Sequence, residues 1–265
     1  MATYAQAGRS MTVTTPLGKD VLLLVGFSGH GAISELFSFQ LDMIAENKTD
    51  VAFDKLLGRR CTVNLAMPDD KMRYFNGICR RVTQGERDME FTRYQMEIVP
   101  EFWLLSKKAR SRIFQHVSVP DILKKVLEGL DVAYELQGKF EPRDYCVQYR
   151  ETDFNFASRL MEEEGIYYFF KHTAGGHSMV VANTPQSHSS VQEPSRLIYD
   201  EVEGGLRDEG RVYDWQKSQE MRSGKYTLWD HSFELPGKNL ESSTNVVDGV
   251  PVGKVTHSLK VGGND

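Results

Sequence analysis

The tightest constraint on this chain is an alternation. Phe37, Phe39, Leu41 and Met43 alternate with Ser38, Gln40 and Asp42, and Cys61, Val63, Leu65 and Met67 alternate with Thr62, Asn64 and Ala66. A period of two sends one residue set to one face, which is what a half-buried strand requires. Further strands are predicted over residues 11–16, 21–27, 73–82 and 90–99. Turn chemistry separates them at Gly18-Lys19-Asp20, Pro68-Asp69-Asp70 and Gly85-Glu86. Six short strands at this spacing predict a closed or nearly closed antiparallel barrel.

The period then changes. Ile122, Leu123, Val126, Leu127 and Leu130 follow one face of a helix. Ser118 is placed to cap it, with Asp121 three residues on and Pro120 in the first turn. A second helix is predicted from Asp153 to Glu164, with Thr152 as cap and Gly165 as left-handed stop. Its expected buried stripe is Phe154, Ala157, Leu160 and Met161. A short helix is expected around residues 101–109. Residues 166–170 and 179–182 read as a hairpin about Thr173–Gly176, residues 183–194 as a loop, and residues 212–216 and 226–233 as aromatic strands. The fold class is therefore mainly β with α+β insertions.

Composition narrows the function. With 32 basic against 37 acidic residues the net charge is −5, the wrong sign for a protein that neutralises phosphates, so nucleic acid is not expected as a partner. No apolar run approaches the ~20 residues of a membrane span, and the start shows no basic-then-apolar leader. Three cysteines, Cys61, Cys79 and Cys146, with no C-x-x-C pair, read as free thiols of a reducing compartment.

Four arrangements resemble active centres. Val25-Gly-Phe-Ser-Gly-His-Gly31 has neither the spacing of a dinucleotide fingerprint nor glycine two residues after Ser28, and reads as a tight loop between strands. His172, His177 and His188 lack a further ligand at a metal-site spacing and are expected on the surface. Glu162, Glu163 and Glu164 share one helix turn, so they cannot flank a scissile bond from two sides, and are expected solvated or ion-paired. Trp103, Trp215 and Trp229 could stack on sugars, but core or interface burial is the expectation. No catalytic residue, cofactor, metal or small-molecule substrate is assigned.

The most specific stretch runs from Tyr145 to Phe170: a strand, a capped helix and a second strand. Gln148, Tyr149, Arg150, Glu151, Thr152, Asp153, Phe156, Arg159, Leu160, Glu162, Glu163, Glu164, Gly165, Ile166, Tyr168 and Phe170 follow the pattern Q-Y-R-E-[ST]-D-x-x-F-x-x-R-L-x-E-E-E-G-I-x-Y-x-F. That block resembles the signature of the VgrG family, the spike proteins of bacterial type VI secretion systems. Arg112-Ile-Phe-Gln115 with Val119-Pro-Asp-Ile122 resembles a second family segment, and the likeness extends over about residues 10–245. Asn183 and Trp229-Asp-His231 depart from the commoner Asp and D-Y-D.

The resemblance implies a structural part: a phage-hub-like homotrimer of antiparallel β-barrel domains with a mixed insertion. It implies docking on a hexameric tube of Hcp protein among baseplate components, with a PAAR-type tip and effectors borne by a downstream spike. It implies assembly in the bacterial cytoplasm and expulsion by contraction. A hub of a phage or phage-derived tail is the alternative, and a carbohydrate-binding or hydrolase domain a remoter one. The expected division is 1–105, a first hub barrel; 106–165, a helical insertion carrying the signature helix; and 166–265, a mixed β region in which the second barrel is cut short. Arg150 and Arg159 are expected to pair with acidic neighbours and lock helix onto sheet, with direct trimer contacts as the other role.

Overall fold

A computed structural model describes residues 4–67, 71–188, 198–199, 211–212, 214–218 and 223–246. The predicted strands form one six-stranded antiparallel sheet. They are β1 (Met11–Thr14), β2 (Leu23–His30), β3 (Ser38–Glu46), β4 (Arg60–Ala66), β5 (Met72–Arg87) and β6 (Phe91–Val99), in spatial order β1-β4-β5-β6-β3-β2. The alternation is realised in the core, where Phe37, Phe39, Leu41 and Met43 are all buried. Residues that slip the register curl the sheet: Val25 between Leu24 and Gly26, and Arg80 between Cys79 and Arg81.

The two edges of the sheet, β1 and β2, do not pair by backbone ladder. A side chain joins them instead. The buried Gln6 accepts through Oε1 from the amides of Val13 (2.8 Å) and Leu24 (3.2 Å), and donates from Nε2 to the Val13 carbonyl (3.1 Å). The barrel is thus nearly closed, with one glutamine spanning the seam.

Of the run Val25–Gly31, read as a loop, all but Gly31 continues β2, which extends past the predicted residues 21–27 to His30; the connection to β3 begins after it. Gly29 lies opposite Phe39, and a Cβ built there would come within 2.1 Å of that ring. The glycine makes room for an aromatic ring, not for a phosphate.

After the barrel, a 3-10 helix (Glu101–Lys107) leads to β7 (Ala109–Val117), α1 (Val119–Val126), β8 (Val132–Glu135), β9 (Arg143–Thr152), α2 (Asp153–Glu163), β10 (Tyr167–His172) and β11 (His177–Ala182). β7 pairs with β9, and β10-β11-β8 form a second small sheet in which β8 runs parallel to β11. The segment expected as a helical insertion therefore contains three strands as well as its two helices. Ser118 takes the cap conformation but donates its hydroxyl to Asp121 (2.7 Å) instead of accepting from an amide. Thr152 does cap α2, accepting from the Asn155 amide at 3.1 Å. The buried stripe of α2 is Phe156, Ala157, Leu160 and Met161; Phe154 is only partly covered, against Phe102.

Two apolar cores result, one inside the curled sheet and one between α1, α2 and the small sheets, and Phe170 packs against both. All three cysteines are free and buried; burial pushes the Cys61 thiol up to about 12 and Cys79 up to about 11, and raises Cys146.

The chain divides into two compact units. Met1–Leu197 with Leu206–Gly210 holds everything above, and Ile198–Gly205 with Arg211–Asp265 makes up the other. Among described residues beyond Ser187, the strands are β12 (Ile198–Tyr199), parallel to β13 (Arg211–Val212), and β14 (Lys225–Leu228), antiparallel to β15 (Ser242–Asn245). The Gly-rich end after Val246 lies outside the described residues.

Gln6→Ala would leave the Val13 and Leu24 amides without their acceptor. Urea unfolding should show a loss of about 2 kcal/mol, and a change under ~0.5 kcal/mol would mean the seam does not depend on this side chain.

Candidate functional site: the signature block as a structural node

The signature block gathers its polar residues around one buried carboxylate. Asp153 begins α2 and is 3% exposed, where the positive helix end favours negative charge. Its Oδ1 accepts from Arg112 Nη2 (2.6 Å) and from Gln148 Nε2 (2.8 Å), and its Oδ2 lies 3.2 Å from Arg110 Nε. Gln148 is fully buried; it also donates to the Glu151 carbonyl (3.0 Å) and accepts from Arg112 Nε (2.8 Å). Strand β7, strand β9 and helix α2 are tied at this point.

The block's Q-Y-R-E run has a backbone reason. In the β7–β9 ladder Arg110 faces Glu151 and Arg112 faces Gln148, so Tyr149 and Arg150 together oppose Ser111. Two residues against one is a β-bulge, and Arg150 takes the left-handed conformation (φ 50°) with its amide donating to Ser111 Oγ at 3.3 Å. The bulge lets Gln148 point inward while Tyr149 and Arg150 face solvent.

The helix end follows the E-E-E-G-I run. Gly165 sits at φ 65°, the Ile166 amide donates to the Met161 carbonyl (2.8 Å) and the Gly165 amide to Glu162 (3.3 Å), a Schellman stop. Glu163 takes hydrogen bonds from Arg143 and Arg159, and Glu164 from Arg143 at 2.7 Å, while Glu162 faces solvent. Burial pushes the Glu163 carboxyl up, but the two arginines outweigh it and hold it below its ordinary value. Arg159 bonds Glu151 (2.7 Å) and the Val147 carbonyl (3.3 Å), so it clamps helix to strand as expected. Arg150 does not: among the described residues it has no acidic partner and lies over the Tyr149 ring at 5.3 Å. Phe156, Leu160 and Ile166 are buried in the second core with Tyr168, while Phe170 reaches the barrel by an edge contact with Phe37.

The histidine expectation needs correcting. His172 and His177 face each other across the hairpin, but both turn toward the barrel. His177 is 6% exposed; its Nε2 accepts from the Glu101 amide (3.0 Å), so Nδ1 carries the proton to Asn76 Oδ1 (3.0 Å). Asn76 donates its amide to His172 Nδ1 (3.1 Å) and its side chain to Thr62 (2.6 Å). Both rings are acceptors for backbone amides and must be neutral; burial, chiefly, lowers His172 to about 4 and lowers His177. Asn76 was invisible to sequence reasoning, since an asparagine mid-strand carries no pattern. Among the described residues no group of three His, Cys, Asp or Glu could hold a metal.

The tryptophans divide. Trp103 is partly buried between Lys107 (4.0 Å) and Arg80 (5.3 Å), whereas Trp215 and Trp229 are 77% and 71% exposed, not core residues. The node's chemistry is mutual neutralisation of fixed charges, which makes it a brace.

Residues 30–258 match the family model described as phage tail baseplate hub. The chain is similar to the type VI secretion system spike protein VgrG1b of Pseudomonas aeruginosa, 37% identical over 245 residues, which cover 91% of this chain and 33% of that protein. It spans about a third of the length of the curated relatives it matches. Its fold resembles the E. coli c3393 protein, described as a component of the type VI secretion system similar to T4 phage tail proteins (TM-score 0.57, 20% identity, 86% of this chain and 56% of that one). It also resembles a 43 kDa tail protein of prophage MuSo2 from Shewanella oneidensis (TM-score 0.55, 15% identity, 89% and 68%).

Two outcomes follow for the brace. Asp153→Ala leaves two arginines facing a hole and should destabilise the fold by about 3 kcal/mol in urea; a loss below ~1 kcal/mol would deny the carboxylate its place. The histidine pair sets a pH dependence. The folded state resists protonation and the unfolded chain does not, so stability is full above about 6.5 and falls toward about 4. The expected slope is on the order of 1 kcal/mol per pH unit and ring. His172→Gln with His177→Gln should flatten that part of a thermal-melt series, and an unchanged slope would exclude the pair as its source.

Proposed function

The chain belongs to the phage tail baseplate hub family, and on that footing we propose that it is the structural hub of a type VI secretion puncturing spike. It stands as one of three copies in a rigid collar, docks on the Hcp tube and supports delivery of effectors carried by a downstream spike and PAAR-type tip. Residues 1–105 serve as the first hub barrel, 106–165 as the braced insertion and 166–265 as the beginning of the region that completes the hub. The protein acts by rigidity and not by turnover. It is assembled in the cytoplasm and leaves with the spike.

The observation that carries this reading is the 37% identity along 91% of the chain to a protein named a secretion spike. The two-core architecture agrees with it, because a part that transmits force needs its domains locked together. Phe170 and His177 of the β10–β11 hairpin meet Phe37 of the barrel core through ring contacts of 5.0 and 5.5 Å. No helix among the described residues is long and apolar enough to cross a membrane. The phage-tail alternative draws on the family model and on fold likenesses to tail proteins at 15% identity and below, whereas the relatives at 37% identity are named secretion spikes, so the secretion reading stands first.

Native mass spectrometry of the chain, with and without purified Hcp, tests the proposal. A trimer that retains the tube protein is expected. A monomer that ignores the tube and quenches Trp215 or Trp229 fluorescence on adding oligosaccharide would replace this reading with a carbohydrate-binding one.

A further inference from the structure

We infer that the acidic tip of the β5–β6 hairpin of one copy docks on the outer face of the β7–β9 ribbon of a second copy, a head-to-tail contact that closes into a ring. This rests on the proposed assembly and names the surfaces that make it.

The ribbon has two unequal faces. Cross-strand partners share a face, so Phe114 with Cys146 and Arg112 with Gln148 point into the second core. The other face carries Ile113 opposite Val147, Gln115 opposite Tyr145, and Tyr149 at the bulge. Ile113, Tyr145 and Tyr149 are 60%, 57% and 67% exposed. Beside them lie the exposed Lys107, Lys108 and Arg150, none with an acidic partner among the described residues. Exposed tyrosines with arginine are the composition of an interface centre, and here the surrounding charge is positive on an acidic protein.

The complementary surface lies on the barrel. Met89 at the hairpin tip is 103% exposed, flanked by the exposed Glu86, Asp88 and Glu90, which outnumber the one cation among them, Arg87, itself turned to the Asn47 carbonyl. The tip is held rigid. Asp88 Oδ1 accepts from the amides of Glu90 (2.8 Å) and Phe91 (2.6 Å), and Asn47 donates to the Asp88 carbonyl at 2.9 Å. A preformed turn loses little freedom on docking. Its methionine suits a tyrosine-lined surface and its carboxylates suit lysine and arginine.

One chain cannot satisfy itself. β6 carries the backbone from the tip to the start of the ribbon segment, and its residues 91–99 rise about 26 Å at ~3.3 Å each. The tip and the barrel end from which the ribbon segment departs are thus separated by that length, and a contact between tip and ribbon of two copies is heterologous, the kind that can close a ring.

Sedimentation equilibrium over a concentration series tests this with wild type, Met89→Asp, Arg150→Glu and the double variant Arg150→Glu/Glu86→Arg. The changed side chains are exposed, and urea melts check that each variant is folded. Each of the first two should weaken self-association about tenfold or more, and the double variant should recover it. Met89→Cys combined with Tyr149→Cys should give, on oxidation, a covalent ladder that closes at three copies, since the native cysteines are buried. Assembly of wild type with unchanged association of the variants, or with no recovery and no ladder, overturns this contact and leaves the hub reading standing. A chain that stays monomeric with intact Hcp present overturns both.

Discussion

A single buried carboxylate ties together the two strands and the helix that carry the signature block. Asp153 could not lie 3% exposed at the head of α2 without compensation, because a buried unpaired charge costs several kcal/mol. Its compensation comes from three elements: Arg110 and Arg112 on β7, Gln148 on β9, and the positive end of the helix it begins. None is useful before the others are placed, so ladder, bulge and helix form together or not at all. The same logic recurs at the helix end, where Arg143 bridges Glu163 and Glu164 while Arg159 reaches back to β9.

Much of this was legible in the residues. The six barrel strands were readable from alternation and from the turn at Gly18-Lys19-Asp20, although Gly85-Glu86, read as a turn, lies within β5 and Pro68-Asp69-Asp70 lies outside the described residues; α2 was readable because its cap and its glycine stop are local. What escaped was non-local. β8 is a four-residue strand whose ladder partner among the described residues is β11, some fifty residues away, so nothing in Val132–Glu135 announces it. Gly26–His30 reads as a loop because glycines break patterns, but Gly29 is there for the Phe39 ring, a cross-strand neighbour. His172 and His177 looked like surface residues on a hairpin, and only the docking of that hairpin on Asn76 and Glu101 buries them. In the signature block, composition pointed correctly to Arg159 as a clamp, whereas the outward turn of Arg150 depends on a bulge that two strands define jointly.

The division of labour between the cores is the physical content of a hub. The curled sheet supplies stiffness, the α/β insertion supplies a braced block, and Phe170 contributes apolar surface to both cores. Around this junction a chain of hydrogen bonds runs from the Glu101 amide through His177 and Asn76 to Thr62. Such a chain fixes one geometry, because any slippage of the hairpin on the barrel leaves several partners unpaired at once.

The depth at which the thiols lie bears on chemical survival. With Cys79 near 11 and Cys61 near 12, each of these two thiols is ionised in only about one molecule in ten thousand or fewer at neutral pH, and burial raises Cys146 as well. A polypeptide so protected can cross from a reducing to an oxidising milieu without acquiring mixed disulfides or sulfenic acids. Were the chain expelled as proposed, its shape on arrival would be the shape with which it set out.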